Sequence, residues 1–401
     1  MQKIIESFIA LKNYIVKFLI WLLLSVSIGA LCGLCGTLFS KTIGFVTELR
    51  AANWWLLLLL PIGGLISVGV YKLCRVSEYS TIDAIESART EKKLPFYLAP
   101  AIFIGTAISH LFGASAGREG AALQLGGSIA SLFSKIFKLK EESRRIIIMC
   151  GMAALFSSVF GTPLTACIFV LEVVMTDIFA SAILPVLISS ITAFKISALL
   201  GVAPEYFELS TVPSFNFNTL WRVSIIIFAG IIVAFIFMVA IHRFKQLFEK
   251  LFKNPFIRIA VGGAVIVALT FIVGNTDYNG GGIEVINRIF TDGTVRYEAF
   301  ALKILFTAIT IAAGFKGGEI IPTLFIGATY GGALAMLLGL SPAFGAAIGI
   351  AVLFSGVTKC PIATIFLCAE MFGGKGMLFI TTAIVISCFF SKYAGIYNKS
   401  K

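Results

Sequence analysis

Charge is what this 401-residue chain has least of: Asp, Glu, Lys and Arg together make up 13% of it, about half the share usual in soluble domains. Histidine occurs twice, as His110 and His242. No HExxH pair, no phosphate-binding P-loop and no cysteine and histidine metal spacing is present, so neither a metal nor a cofactor is expected. No small-residue cleavage pattern follows the first apolar run, and a removable signal peptide is not expected either. The eight cysteines are scattered through apolar stretches. Even the Cys32 and Cys35 pair, with redox spacing, reads as small buried hydrophobes. One hydrolase pattern does occur, the GASAG of Gly113 to Gly117 around Ser115. It lacks a preceding strand and a plausible acid and histidine, so an enzyme is not expected.

Apolar residues dominate instead, at 58% of the chain. They recur in runs from Tyr14 to Phe39 through Met377 to Phe390, which indicates an all-α polytopic membrane protein. Several runs fall short of the ~20 residues a straight span requires. Gly and Pro interrupt them, which predicts tilted and broken helices around a lined cavity. The net charge of +12 sits in short connections such as Lys135 to Arg145 and Lys245 to Arg258. Membrane topology accounts for it without nucleic acid, and the positive-inside tendency places these clusters and both termini in the cytoplasm.

Within this apolar background, Gly117 to Gly127 reads GREGAALQLGG. A carboxylate there costs about 2.5 to 3.5 kcal/mol on insertion scales, which makes Glu119 a candidate functional residue. Arg118 beside it reads as a structural ion pair or a cap onto carbonyls, the alternative being a long-range pull on anions. The chain also repeats itself. Gly151 to Glu172 lies over Gly349 to Glu370 without a gap, with eight of 22 positions identical, Glu172 and Glu370 among them. Residues 1–200 and 201–401 are therefore expected to be two copies of one fold. Nearly the same offset brings the Glu119 segment onto GGEIIP, Gly317 to Pro322, with Glu119 facing Glu319 or Ile320. Two glycine-rich openings would aim helix N-termini at one point, and their free N–H groups and partial positive charge make an anion site that can still release its ion. Glu172 and Glu370 read as structural caps on the cytoplasmic side, Asp83 and Glu86 as acceptors of loop amides, and His110 as a satisfied interhelical group.

Together these segments resemble the CLC family of chloride channels and proton-coupled anion antiporters. GREGAALQ is similar to the family's GREGP motif, NGGGIEVI from Asn279 to its glycine-rich segment, GGEIIP to GxFxP, GTPLTACIFVLE to its PLAG-type helix, and GIYN falls at its central tyrosine. The resemblance implies a CLC-type inverted repeat of tilted and broken helices, assembled as a homodimer in the cytoplasmic membrane, with no cytoplasmic regulatory domain. It implies that Glu119 is the gating, proton-carrying glutamate. It further implies that the anion meets Ser80, the amides of Gly120, Ile320 and Ile321, and the phenol of Tyr397.

The departures bear on the substrate. Val173 stands where family antiporters carry an inner proton-transfer glutamate, YSTID replaces GSGIP around Ser80, Ala121 replaces the proline of GREGP, and Glu319 introduces a carboxylate. These changes resemble the fluoride-exporting branch, with Glu319 as a second protonatable station or else a bond to loop amides. Ser80 departs from the methionine frequent in that branch. Fluoride exchanged for protons is the expected activity; chloride/proton exchange and a passive anion channel are the alternatives.

Overall fold

The computed structural model describes residues 2–77, 79–90, 92–175 and 178–391, with side chains from residue 11 onward and at Glu6 and Ser7. Sixteen α-helices and no strand occur among the described residues. The first eight are α1 (Gln2–Ala52), α2 (Leu60–Leu73), α3 (Thr81–Arg89), α4 (Leu98–Leu111), α5 (Glu119–Ile136), α6 (Glu141–Phe160), α7 (Pro163–Val174) and α8 (Phe179–Leu199). A second series follows: α9 (Phe217–Leu251), α10 (Pro255–Val273), α11 (Ile283–Thr291), α12 (Ala299–Ala313), α13 (Ile320–Leu337), α14 (Pro342–Thr358), α15 (Pro361–Phe372) and α16 (Met377–Phe390). Helix lengths match across the series, nine residues in α3 and α11, eighteen in α5 and α13, twelve in α7 and α15.

Seven helices among the described residues are long and apolar enough to cross a membrane. α6 and α13 are mostly buried within the protein, whereas α1, α9 and α10 present most of their length outward. The outward helices keep long apolar side chains exposed, such as Leu38, Ile232 and Ile272, as a lipid solvent permits.

α5 was not visible as an apolar run, because Gly, Ala, Ser and Gln dilute it, yet nearly all of it is buried. Its small residues let it lie backbone to backbone on α6, since a Cβ on Gly126 would come within 2.2 Å of the Gly151 carbonyl oxygen. The second series repeats the device between α13 and α14, where a Cβ on Gly331 would stand 2.3 Å from the Gly345 oxygen. Small residues are the usual means of close helix approach where lipid offers no hydrophobic drive between helices.

α7 and α15 join the two series. Glu172 near the end of α7 accepts from the Ile362 and Ala363 amides at the start of α15, at 3.2 and 2.8 Å. Glu370 near the end of α15 accepts from the Leu164 and Thr165 amides at the start of α7, at 3.0 and 2.9 Å. The two helices therefore run antiparallel, each acid occupying the partially positive N-terminus of the other. The capping role expected of both acids is present. Their placement together on the cytoplasmic side is corrected, because antiparallel packing puts equivalent ends at opposite ends of the pair.

Candidate functional site

The two glycine-rich openings meet. Gly117 and Gly318 exchange both backbone bonds, each N–H donating to the other's carbonyl at 2.7 Å, as an isolated antiparallel bridge. Such closeness requires glycine, since a Cβ on Gly318 would lie 2.5 Å from the Gly120 nitrogen. Two residues later α5 and α13 begin, so their N-termini converge from opposite halves of the chain.

This bridge settles the register. Counting from Gly117 and Gly318, Arg118 pairs with Glu319 as the N-cap and Glu119 with Ile320 as the first helical residue. Both N-cap residues have similar backbone angles, φ −114° and −92° with ψ −10° in each. Glu119 thus faces Ile320, and the carboxylate of the second copy stands one residue earlier.

Glu119 is fully buried. Its Oε2 accepts from the Arg118 amide at 3.1 Å and from the Ile321 amide, across the bridge in α13, at 3.4 Å. Oε1 has no partner, and the Arg118 Nε stands 4.0 Å from it. The carboxylate therefore spans both helix N-termini, where an incoming anion would find its donors. Whether this acid rests in the site or swings clear was not legible in the sequence; here it rests in the site.

Arg118 turns away. Its Nη2 pairs with Glu205 at 2.7 Å and approaches the Val159 carbonyl at 3.4 Å, while Nη1 donates to Ser40 at 3.2 Å. This is the ion pair and carbonyl cap expected of it. Glu205, in the connection between α8 and α9, gave no motif or spacing that could have marked it.

Glu319 holds the start of α13, its backbone carbonyl accepting from the Thr323 amide and hydroxyl at 2.9 and 2.8 Å. Its Oε2 is buried without a partner, and the cation acting on it is Lys245, near the end of α9. Gly120 and Ile320 are buried at the junction. A Cβ on Gly120 would lie 3.3 Å from the Thr81 hydroxyl, and Thr81 itself accepts from the Gln124 side chain at 2.9 Å. Thr81 and Gln124 lie inside the YSTID and GREGAALQLGG segments, but an uncharged polar side chain gave neither a signal of its own.

Ser80 caps α3. Asp83 Oδ2 accepts from its amide at 2.9 Å and its hydroxyl at 2.6 Å, so the Ser80 hydroxyl is committed to a capping box, and Asp83 bonds a loop amide as expected. Tyr397 lies outside the described residues. Val173, at the inner-glutamate position, is buried, and its carbonyl and that of Val174 accept from the Arg89 guanidinium.

The glycine segment after α10 is pinned from beneath. Lys303, fully buried, donates to the carbonyls of Tyr278 at 3.1 Å and Gly280 at 2.7 Å. A lone lysine inside the Phe300 to Ala313 run was the available signal for it. Asn279 reaches the Gly113 carbonyl at 3.0 Å, and Ser115 of the GASAG pattern shares a 3.1 Å bond with Thr307. His110 is satisfied in part: its ring bonds the Gly117 backbone, while its Nε2 is buried without a hydrogen bond.

A helical membrane protein of two like series, with paired helix N-termini converging on one buried carboxylate, is what the fold and site define. The chain belongs to the voltage gated chloride channel family, whose profile matches residues 63–392. A chloride/fluoride channel protein of Pseudomonas syringae pv. tomato is 32% identical over 98% of this chain and 88% of its own. The H(+)/Cl(-) exchange transporter ClcA of Vibrio cholerae is 26% identical over 87% of this chain and 81% of its own. Among solved structures, a CLC-type fluoride/proton antiporter superposes with a TM-score of 0.91 at 32% identity, covering 95% of this chain and 98% of that one. A slow cyanobacterial Cl-/H+ antiporter, at 19% identity and a TM-score of 0.80 over 94% and 96% of the two chains, shares the fold.

Proposed function

We propose that the protein exchanges a halide for protons across the cytoplasmic membrane, with fluoride as the substrate, both termini in the cytoplasm, and two copies associating as a homodimer. The observation that carries this reading is the Glu119 carboxylate lying across the α5 and α13 N-termini with one oxygen unpartnered. An anion and this carboxylate compete for the same partial positive charge. Protonation removes the carboxylate's charge and frees it to leave, and an arriving anion takes over the amides. Donors of partial charge hold the ion without trapping it.

The proton needs an inner station, since Val173 offers none. Glu319 supports that role by position. It is the pseudo-symmetric counterpart of Arg118, and a two-fold axis in the membrane plane sends counterparts toward opposite sides. Arg118 leans to Glu205 on the side where α1 ends, and Glu319 is influenced by Lys245 on the side where α9 ends. Fluoride suits a coupled exchanger, because HF crosses bilayers as a neutral acid and ionises in the more alkaline cytoplasm. Export against that accumulation requires an energy source, and inward protons supply it. The similarity to a fluoride/proton antiporter supports this choice of halide.

The test is proton movement by purified protein in liposomes under a fluoride gradient, set against an equal chloride gradient. Proton uptake coupled to fluoride is expected. Movement of chloride alone would displace the substrate, and fluoride flux without proton flux would make the protein a channel.

A further inference from the structure

On the side of the molecule where α1 and α4 end, a cavity of about 420 Å³ descends to the junction of the two glycine-rich openings. Arg50, His110, Arg118, Asn279 and Ile321 line it, and the Ile321 amide is the one that reaches Glu119. Its mouth carries the exposed acids Glu48 and Glu284, and its interior carries cations.

The interior charges are not matched. Arg50 Nη1 donates to the His110 carbonyl at 2.7 Å, and its guanidinium lies against Gly280, where a Cβ would stand 3.1 Å from Nη2. Among the described residues Arg50 forms no ion pair, Glu284 being the acid that acts on it through space. Arg118 is matched by Glu205 at 2.7 Å, and its Nε makes no hydrogen bond, standing 4.0 Å from Glu119 Oε1. Lys303, behind the cavity, donates to two carbonyls and lies 5.0 Å over the Phe325 ring. Arg50, Arg118 and Lys303 all act electrostatically on the His110 ring, which is 5% exposed and leaves Nε2 unpartnered. Among the described residues the two lining arginines have one close acid between them, Glu205 on Arg118 at 2.7 Å, with Glu119 4.0 Å from the Arg118 Nε and Asp277 engaged by Arg288. The Arg50 charge and the unpartnered His110 nitrogen are costly in a low-dielectric interior unless something negative joins them.

We infer that Arg50, His110 and Arg118 form a halide-binding subsite in this cavity, separate from the amides that Glu119 occupies and feeding them. A small monovalent anion fits the chemistry. Arg50 supplies charge and free N–H groups, the His110 Nε2 supplies a donor when that nitrogen carries hydrogen, and the acids at the mouth disfavour larger polyanions. An ion waiting there stands next to the donors that Glu119 vacates on protonation. The inference rests on the reading that anions pass Glu119, but binding is measurable apart from transport.

Trp54 lines the same cavity and reports on it. In a chain whose other tryptophans are changed to phenylalanine (Trp21→Phe, Trp55→Phe, Trp221→Phe), bromide is expected to quench Trp54 with a saturable component, and fluoride to compete that component away. Adding Arg50→Gln is expected to leave only linear, collisional quenching, and Arg50→Lys to restore part of the saturable fraction. In liposomes Arg50→Gln is expected to raise the half-saturating halide concentration about 3- to 10-fold on the cavity side, with maximal flux and the opposite side unchanged. Crystals of the unaltered chain soaked in bromide give a second readout, an anomalous peak between Arg50 and Arg118, should the tryptophan variants fail to fold. Linear quenching throughout, saturation indifferent to Arg50→Gln, or an empty cavity in the anomalous map would overturn the subsite. Saturable quenching without proton-coupled flux would keep the subsite and remove the proposed exchange.

Discussion

Arg118 and Glu319 hold the same place in the two halves, each capping the helix that opens at the Gly117 to Gly318 bridge, yet one carries a guanidinium and the other a carboxylate. The pathway is thus asymmetric in charge where its backbone is symmetric. In the proposed exchange, Glu319 is the proton's second station, where Val173 provides none.

Glu119→Gln is expected to abolish proton movement under a fluoride gradient while halide still passes. The amide keeps the shape of the side chain but cannot carry a proton or compete as an anion. Simultaneous recordings with a pH dye and a fluoride electrode read both fluxes; proton coupling equal to that of the unaltered chain would remove Glu119 from the mechanism.

Glu319→Gln is expected to reduce protons moved per halide several-fold and leave uncoupled halide flux in place. Its buried, unpartnered Oε2 is the atom at stake. Unchanged coupled flux in the same assay would assign Glu319 to holding α13 and nothing more.

The reciprocal caps make a stability prediction. Glu370→Ala leaves the Leu164 and Thr165 amides and the Thr165 hydroxyl without their acceptor, at a cost of about 1 to 3 kcal/mol. Glu172→Ala should lose a similar amount through Ile362 and Ala363, and the pair should be additive, since each acid serves the opposite end of the α7 and α15 pair. Denaturation in detergent measures it, with coupling ratios unchanged.

Backbone contact at the bridge predicts that Gly318→Ala lowers flux about 100-fold, the scale of an ångström's misplacement at a working site. Its Cβ would meet the Gly120 nitrogen at 2.5 Å. Gly44→Ala, with nothing within 4 Å of its Cβ, is the control and should be neutral or stabilising by about 0.5 to 1 kcal/mol.

Asp83 sets an acid limit outside the spanning helices. Partial burial pushes its carboxyl up, but hydrogen bonds from Lys92 and Ser80 outweigh this and hold it below the usual carboxylate range. A depressed folded pKa means that the stabilisation is complete above the unfolded value of about 3.9 and is lost as pH falls through the lower folded value. Asp83→Asn should therefore flatten the acid side of the stability curve below about pH 4 and lower stability at neutral pH; a melting series across pH reads both.

Much of this was legible in the chain itself. Scarce charge and recurrent apolar runs are properties of short windows, and they fixed a helical membrane protein before any contact was known. The match of Gly151 to Glu172 with Gly349 to Glu370 disclosed the duplication, and a carboxylate amid glycines disclosed Glu119. Only the tertiary structure decided that Glu119 answers to Ile320, that Glu172 and Glu370 cap each other's helices from opposite ends, that Ser80 is bound up with Asp83, and that Arg50, His110 and Arg118 line one cavity. The physical reason is range. Hydropathy and motif spacing act over a few turns of chain, whereas a 2.7 Å bond between Gly117 and Gly318 joins residues about half a chain apart and depends on every helix packed between them.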